Sequence, residues 1–383
     1  MSKKLFLSYL IICGVLFFNI CFSLAQETES ASESFKEEIF KAKVLEVLEQ
    51  EEFIGEDNSK YISQKLKVEG LEGRWEDIEV IVSGIEINPS FNELYQKGDK
   101  VLVSFSEQAE GESDYYIVDF VRLDKIYWLA AIFCLVILLT GRWRGLRAIM
   151  GLGFSFLIIF KFVIPKILDG SDPLSVSLLF SAIIILVSTY LVYGLNKKSS
   201  VAILGTFAGI TIVGILSLIF TELVRLAGFA QEETIFLVNL MGSSLNLKGL
   251  LLAGFIIGAL GVLDDITISQ VSAVEELTKA NPGLSKFEIY KRAMKIGIDH
   301  VASMVNTLFL AYAGASFPLL LLFVFKQPPF ETLNRVINNE VIATEIVRAL
   351  VGSIGLALAV PITTFLAAYI YKRTAEKINV NKN

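Results

Sequence analysis

VAILGTFAGITIVGILSLIFTE, from Val201 to Glu222, decides what kind of fold this chain can have. The stretch carries no charge before its last residue, and its apolar side chains do not alternate with polar ones. It reaches the roughly 20 residues that a helix needs to cross hydrocarbon. There every backbone N–H and C=O must be paired within the protein, so a block of this length reads as a helix. Working outward, comparable blocks lie at 126–141, 146–166, 174–195, 249–264, 300–325 and 347–371. Together they predict an α-helical polytopic membrane bundle of about seven spans over residues 126–371, with the lipid bilayer as its surroundings. The composition agrees. Of 383 residues, 54% are hydrophobic, above the 45–50% or so of soluble domains. One further block, 234–247 (TIFLVNLMGSSLNL), is too short and too polar for a simple span and reads as re-entrant or interfacial.

The N-terminal third has another pattern. Lys3 and Lys4 precede an apolar run from Leu5 to Leu24, and Ser23-Leu24-Ala25 offers a small-x-small cleavage site before Gln26. This predicts a signal peptide over residues 1–25, the alternative being an uncleaved first transmembrane helix, and either version exports residues 26–125. Residues 26–38 are polar and acidic and are expected to be disordered. Apolar residues then recur every second position in 41–49, 60–69, 78–87, 100–105 and 115–122, separated by Gly70, Gly73, Asn88-Pro89, Gly98-Asp99 and Gly111. Five or six short strands within 39–125 predict a small exported β domain of the OB-like barrel type. Cys13 and Cys21 fall in the export segment and Cys134 in a membrane block. The exported domain therefore has no disulfide and must bury a core of its own.

Charge fixes the expected orientation. Residues 26–125 hold 25 acidic and 11 basic side chains, whereas 126–383 hold 15 and 21. An acidic exported part argues against nucleic acid as its partner. With seven spans, 14 basic residues fall in one set of loops and the tail, including Arg142, Arg144, Arg147, Lys197 and Lys198, and six fall on the opposite side. The positive-inside rule then puts 26–125 outside the cell membrane and residues 372–383 in the cytoplasm as a tail. Gly205-x-x-x-Gly209 and Gly254-x-x-x-Gly258 predict close helix contacts, and Pro361 predicts a kink in the last span.

The polar chemistry gathers in two stripes. In GALGVLDDITISQVSAVEE, Gly258 to Glu276, an apolar helix runs into Asp264 and Asp265, with Gln270 beyond them. After a turn at Asn281-Pro282-Gly283, Ser285 and Glu288 form a capping box for the next helix. That helix carries Asp299, His300, Ser303 and Asn306 into the following block. Both stripes start at the cytoplasmic ends of antiparallel neighbours and are expected to face each other. Polar groups at membrane depth are costly and mark ion or solute pathways. His300 is the only histidine, of a type whose charge changes near neutral pH. The bland reading makes the aspartates interfacial caps that balance nearby Lys and Arg. A metal site of two carboxylates and His300 stays open, without an obvious further ligand. No cofactor motif appears and an enzyme is not expected, an intramembrane enzyme standing third behind the two functions below.

At these residues the chain resembles the YibE/F-like family of bacterial multi-pass membrane proteins. The resemblance is carried by GALGVLDDITISQVSAVEEL (258–277), DHVASMVNTLFLAYAGASFPLLLL (299–322), NNEVIATEIVRALVGSIGLALAVPITTFLAA (338–368) and GRWRGLRAIMG (141–151). It implies a multi-pass bacterial protein for which a transport role is commonly supposed. Asp264, Asp265, Gln270, His300 and Asn306 match the family's polar positions, but the resemblance assigns them no roles. Two functions are expected to compete. One is an ion-coupled transporter or permease of a small solute or ion, with the polar stripes as coupling site. The other is a non-transporting scaffold or sensor whose exported domain binds a protein partner.

Overall fold

The computed structural model describes residues 38–55, 58–89, 93–107, 113–229, 234, 236–238, 246–326 and 331–380. The expected signal peptide, nearly all of the acidic segment and most of the 234–247 block lie outside the described residues. The chain divides after Val136 into two compact units.

The first unit is built on five antiparallel strands: β1 (Glu38–Ile54), β2 (Lys60–Gly70), β3 (Glu79–Ile87), β4 (Lys100–Glu107) and β5 (Ser113–Phe120). Their order in the sheet is β3-β2-β1-β4-β5. Alternation places Phe40, Ala42 and Val44 of β1, and Leu66 and Val68 of β2, on one buried face. Register shifts at Val44/Glu46 and Val47/Glu49 bend β1. The sheet curls until β3 and β5 approach each other, which makes the five-stranded, partly open barrel that the sequence predicts. Trp75, on a 3-10 turn at Gly73–Trp75, fills the centre with its ring stacked 4.7 Å from that of Phe40. Gly70 lies directly against the Trp75 carbonyl, where any Cβ would collide with backbone.

β1 extends past the expected 41–49 because the charged run Glu49-Gln50-Glu51-Glu52 hides the alternation. Its pairing with β2 continues there, and cross-strand ion pairs Lys60–Glu52 (2.7 Å) and Lys65–Glu49 (3.3 Å) line it. Glu49 and Lys65 are directly opposite and Glu52 and Lys60 diagonal, and opposite charges across an antiparallel pair stabilise it modestly, by about 0.2–1 kcal/mol.

The helices are α1 (Leu123–Ile158), continued by a π turn to Leu168, α2 (Pro173–Tyr193), α3 (Lys197–Leu223), α4 (Leu247–Ala280), α5 (Lys286–Ala315), α6 (Phe317–Phe325), α7 (Leu333–Asn338) and α8 (Glu340–Val380). Six helical stretches among the described residues are long and apolar enough to cross a membrane. The first, Leu123–Leu168, is composite, because Arg142 leaves the helical region at φ 48°. A Cβ on Gly145 would strike the Ile137 carbonyl, although residues eight apart in a straight helix lie roughly 12 Å apart. The chain therefore turns sharply at Arg142, and the two halves correspond to the two blocks expected at 126–141 and 146–166.

Local signals set the other ends. Asp172 caps α2 by accepting from the Ser175 N–H at 2.9 Å, with Pro173 at the first helical position. Asn196 and Asn246 cap α3 and α4 in the same way, and Ser285 with Glu288 forms the predicted capping box of α5. The block expected at 300–325 is broken at Ser316, beside Pro318. α8 runs helically through Pro361 and through the start of the expected tail, to Val380.

The interior of this unit lies where α3, α4 and α8 pack on one another, with α2 and α5 against that trio. Gly205 of α3 sits against Thr363 of α8, and Gly209 against Leu263 and Ala359, so this small-residue pair makes the close contact expected of it. Gly254 has open space at its Cβ position, and the second pair does not make such a contact there. Outward faces carry Leu, Ile, Phe and Val, among them Leu204, Ile215, Leu358 and Phe365. Such faces fit a hydrocarbon surrounding.

Candidate functional site

A cavity of about 450 Å³ opens between the second half of α1, α2 and α4. Asp264 and Asp265 project into it from α4, the helix at the centre of the bundle. Asp264 is half-buried, and its Oδ1 accepts a hydrogen bond from the fully buried Thr189 hydroxyl of α2 at 3.0 Å. The Thr267 hydroxyl bonds the Asp264 carbonyl and meets Thr206 of α3 at 2.7 Å. The Asp264 carboxylate is thus held from α2, while Thr267 ties the same turn of α4 to α3. Asp265, one residue on, is more exposed on the cavity side.

The lining changes along the cavity. Ser188, Tyr193 and the two aspartates lie at one end. Gly151 packs there against Ser188 and Val192, and Ser155, whose hydroxyl bonds the Gly151 carbonyl at 2.9 Å, lies one turn further in. Phe156, Ile159, Ile184 and Ile257 form the other end. Among the described residues no Lys or Arg lines the space. Beside its polar end, the Lys198 ammonium lies 5.9 Å over the Tyr193 ring. Among the described residues neither aspartate forms an ion pair. Two uncompensated carboxylates in a membrane segment are costly, and a bound cation or proton lowers that cost.

The two sequence stripes are not brought together. Gln270 is fully buried, and its Nε2 donates to the Ala293 carbonyl of α5 at 2.9 Å and to Thr364 of α8 at 2.7 Å. It ties three helices away from the cavity. α5 turns Ala293 and Gly297 inward. Asp299 follows Gly297 by two residues, about 200° around the helix. Asp299, Ser303 and Asn306 are accordingly turned outward, and His300 is only partly covered. The facing arrangement expected from the sequence is corrected by this geometry: Asp264 and Asp265 look toward α2 and α1, not toward α5. Among the described residues no three His, Cys, Asp or Glu side chains are grouped as a metal ion would require.

Sequence reasoning missed Thr189, Ser188, Ser155 and Tyr193. The available signal was Ser188-Thr189-Tyr190, a polar triplet near the end of an otherwise apolar block.

The fold defines a multi-pass α-helical membrane protein, with a carboxylate pair lining a cavity between its helices. Residues 129–373 match the profile of the YibE/F-like protein family, and the chain belongs to that family. No curated protein and no solved structure matches the chain.

Proposed function

We propose that the protein is an ion-coupled permease of the bacterial cell membrane, with Asp264 and Asp265 as the site that takes up the coupling proton or cation. The β domain then faces outward and the C-terminus the cytoplasm. The observation that carries the reading is the half-buried Asp264 carboxylate, held by Thr189 and open to a cavity that no basic residue lines among the described residues. A carboxylate serving only as an interfacial cap needs neither a buried hydroxyl partner from another helix nor a cavity. The distribution of basic residues supports the orientation. Asp299, His300, Ser303 and Asn306 lie outside the coupling site in this reading, and no chemical conversion of the solute is assigned.

Binding of the coupling ion stabilises the form that binds it. Melting of the purified full chain should shift with pH or with one monovalent cation at constant ionic strength. The Asp264→Asn, Asp265→Asn double variant should lose that dependence. Identical dependence in both proteins would overturn the reading.

A further inference from the structure

The cavity is amphipathic along its length, and that shape has a chemical meaning. From Ile257 to Asp265 its wall on α4 advances eight residue steps, about 12 Å at helical rise. Two carboxylates stand at one end and Phe156, Ile159 and Ile184 at the other. An inorganic cation needs a compact cage of oxygen ligands, and it would leave the apolar end without an occupant. An anion would meet two negative charges. A neutral apolar molecule would leave those charges uncompensated. A zwitterionic lipid headgroup would bring its phosphate against them. The remaining class has one positive charge on an apolar body, and a cavity of about 450 Å³ lies within the range of roughly 300–1,000 Å³ that holds such molecules.

We propose that the solute handled by this cavity is a lipophilic organic cation, its charge beside Asp264 and Asp265 and its body against the apolar end. The inference rests on the coupling role given above to the same two carboxylates. The site alternates between carboxylates neutralised by the coupling ion and carboxylates neutralised by the organic cation. One positive charge leaves as the other arrives, so both are exchanged at the same oxygens. Tyr193, at the carboxylate end, supplies an aromatic face beside the charge, and Phe156 supplies apolar surface for the body at the other end.

Gly261 gives an independent handle. It lies one helical turn before Asp265 on the cavity wall, and a Cβ placed there meets nothing within 4 Å. A side chain built there starts into the cavity with no clash at its Cβ.

The test is equilibrium binding of tetraphenylphosphonium to the full chain in lipid nanodiscs, with tetraphenylborate as the same shape of opposite charge. Tetraphenylphosphonium should bind and tetraphenylborate should not. Asp264→Asn with Asp265→Asn should weaken binding by roughly thirtyfold or more, as expected when a buried charge loses its partner. Gly261→Leu should weaken it with both carboxylates present. Equal binding of the two ions would mean apolar partitioning and would overturn the proposal, as would binding that survives loss of both carboxylates. Absence of tetraphenylphosphonium binding, in a protein whose melting still responds to the coupling ion through Asp264, would overturn this inference and leave the coupling role standing.

Discussion

Asp264 and Gln270 show at the scale of single residues how one polar motif separates into two roles. Gln270 donates twice within the bundle, and its Oε1 has no partner. Two donated bonds contribute about 1 kcal/mol each, while a buried unpaired acceptor costs about 1–3 kcal/mol. The two effects nearly offset each other. Gln270→Leu is expected to fold with almost unchanged stability and to keep the ion dependence of melting that Asp264→Asn loses. A parallel collapse of both variants would place Gln270 in the coupling site after all. On the exposed domain, the Arg122 side chain and then the Phe120 N–H hold the Asp119 carboxyl below its ordinary range. A lowered folded-state pKa adds stability above the unfolded value, near pH 4, and that stability is lost as pH falls through the folded value. Asp119→Asn should therefore lessen the acid destabilisation of the β domain, followed by tryptophan fluorescence of the full chain. An unchanged acid profile would show that the pairing adds nothing.

Elements are decided by packing of small residues as much as by apolar runs. The two Gly-x-x-x-Gly pairs look alike in sequence, yet Gly205 touches the buried Thr363 side chain and Gly254 meets open space. Gly205→Ala should destabilise the bundle by about 1–3 kcal/mol through overpacking, whereas Gly254→Ala should be neutral or slightly stabilising because alanine favours helix. Thermal melts in one detergent compare them, and equal shifts would refute the difference. The apolar blocks, the α5 capping box and most of the strand alternation are legible in the amino-acid sequence, because each is a local property of consecutive residues. The facing of α4 and α5 is not. Periodicity tells which residues share a stripe on one helix, but not how that stripe is turned toward its neighbour. On α5 the contact is made by Ala293 and Gly297, small residues that carry no signal of burial, while the conspicuous Asp299, Ser303 and Asn306 point away. Thr189 escapes sequence reasoning for the same reason: its importance comes from a residue 75 positions away.

For the whole molecule the sharp turn at Arg142 matters most. It makes two segments of one 46-residue helical stretch, and this parity sets which side every later loop occupies. In a chain freed of its natural cysteines, Ser285→Cys should stay unlabelled by a membrane-impermeant thiol reagent in intact cells, and Asp169→Cys should react. The reverse pattern would mean that the stretch crosses once. The coupling role of Asp264 and Asp265 is tested most directly by ion flux. Purified chain in proteoliposomes under an imposed pH or monovalent-cation gradient, with tetraphenylphosphonium on the opposite side, should move the ion at a rate that Asp264→Asn with Asp265→Asn abolishes and Gln270→Leu preserves. Flux that persists undiminished without the two carboxylates would contradict the account.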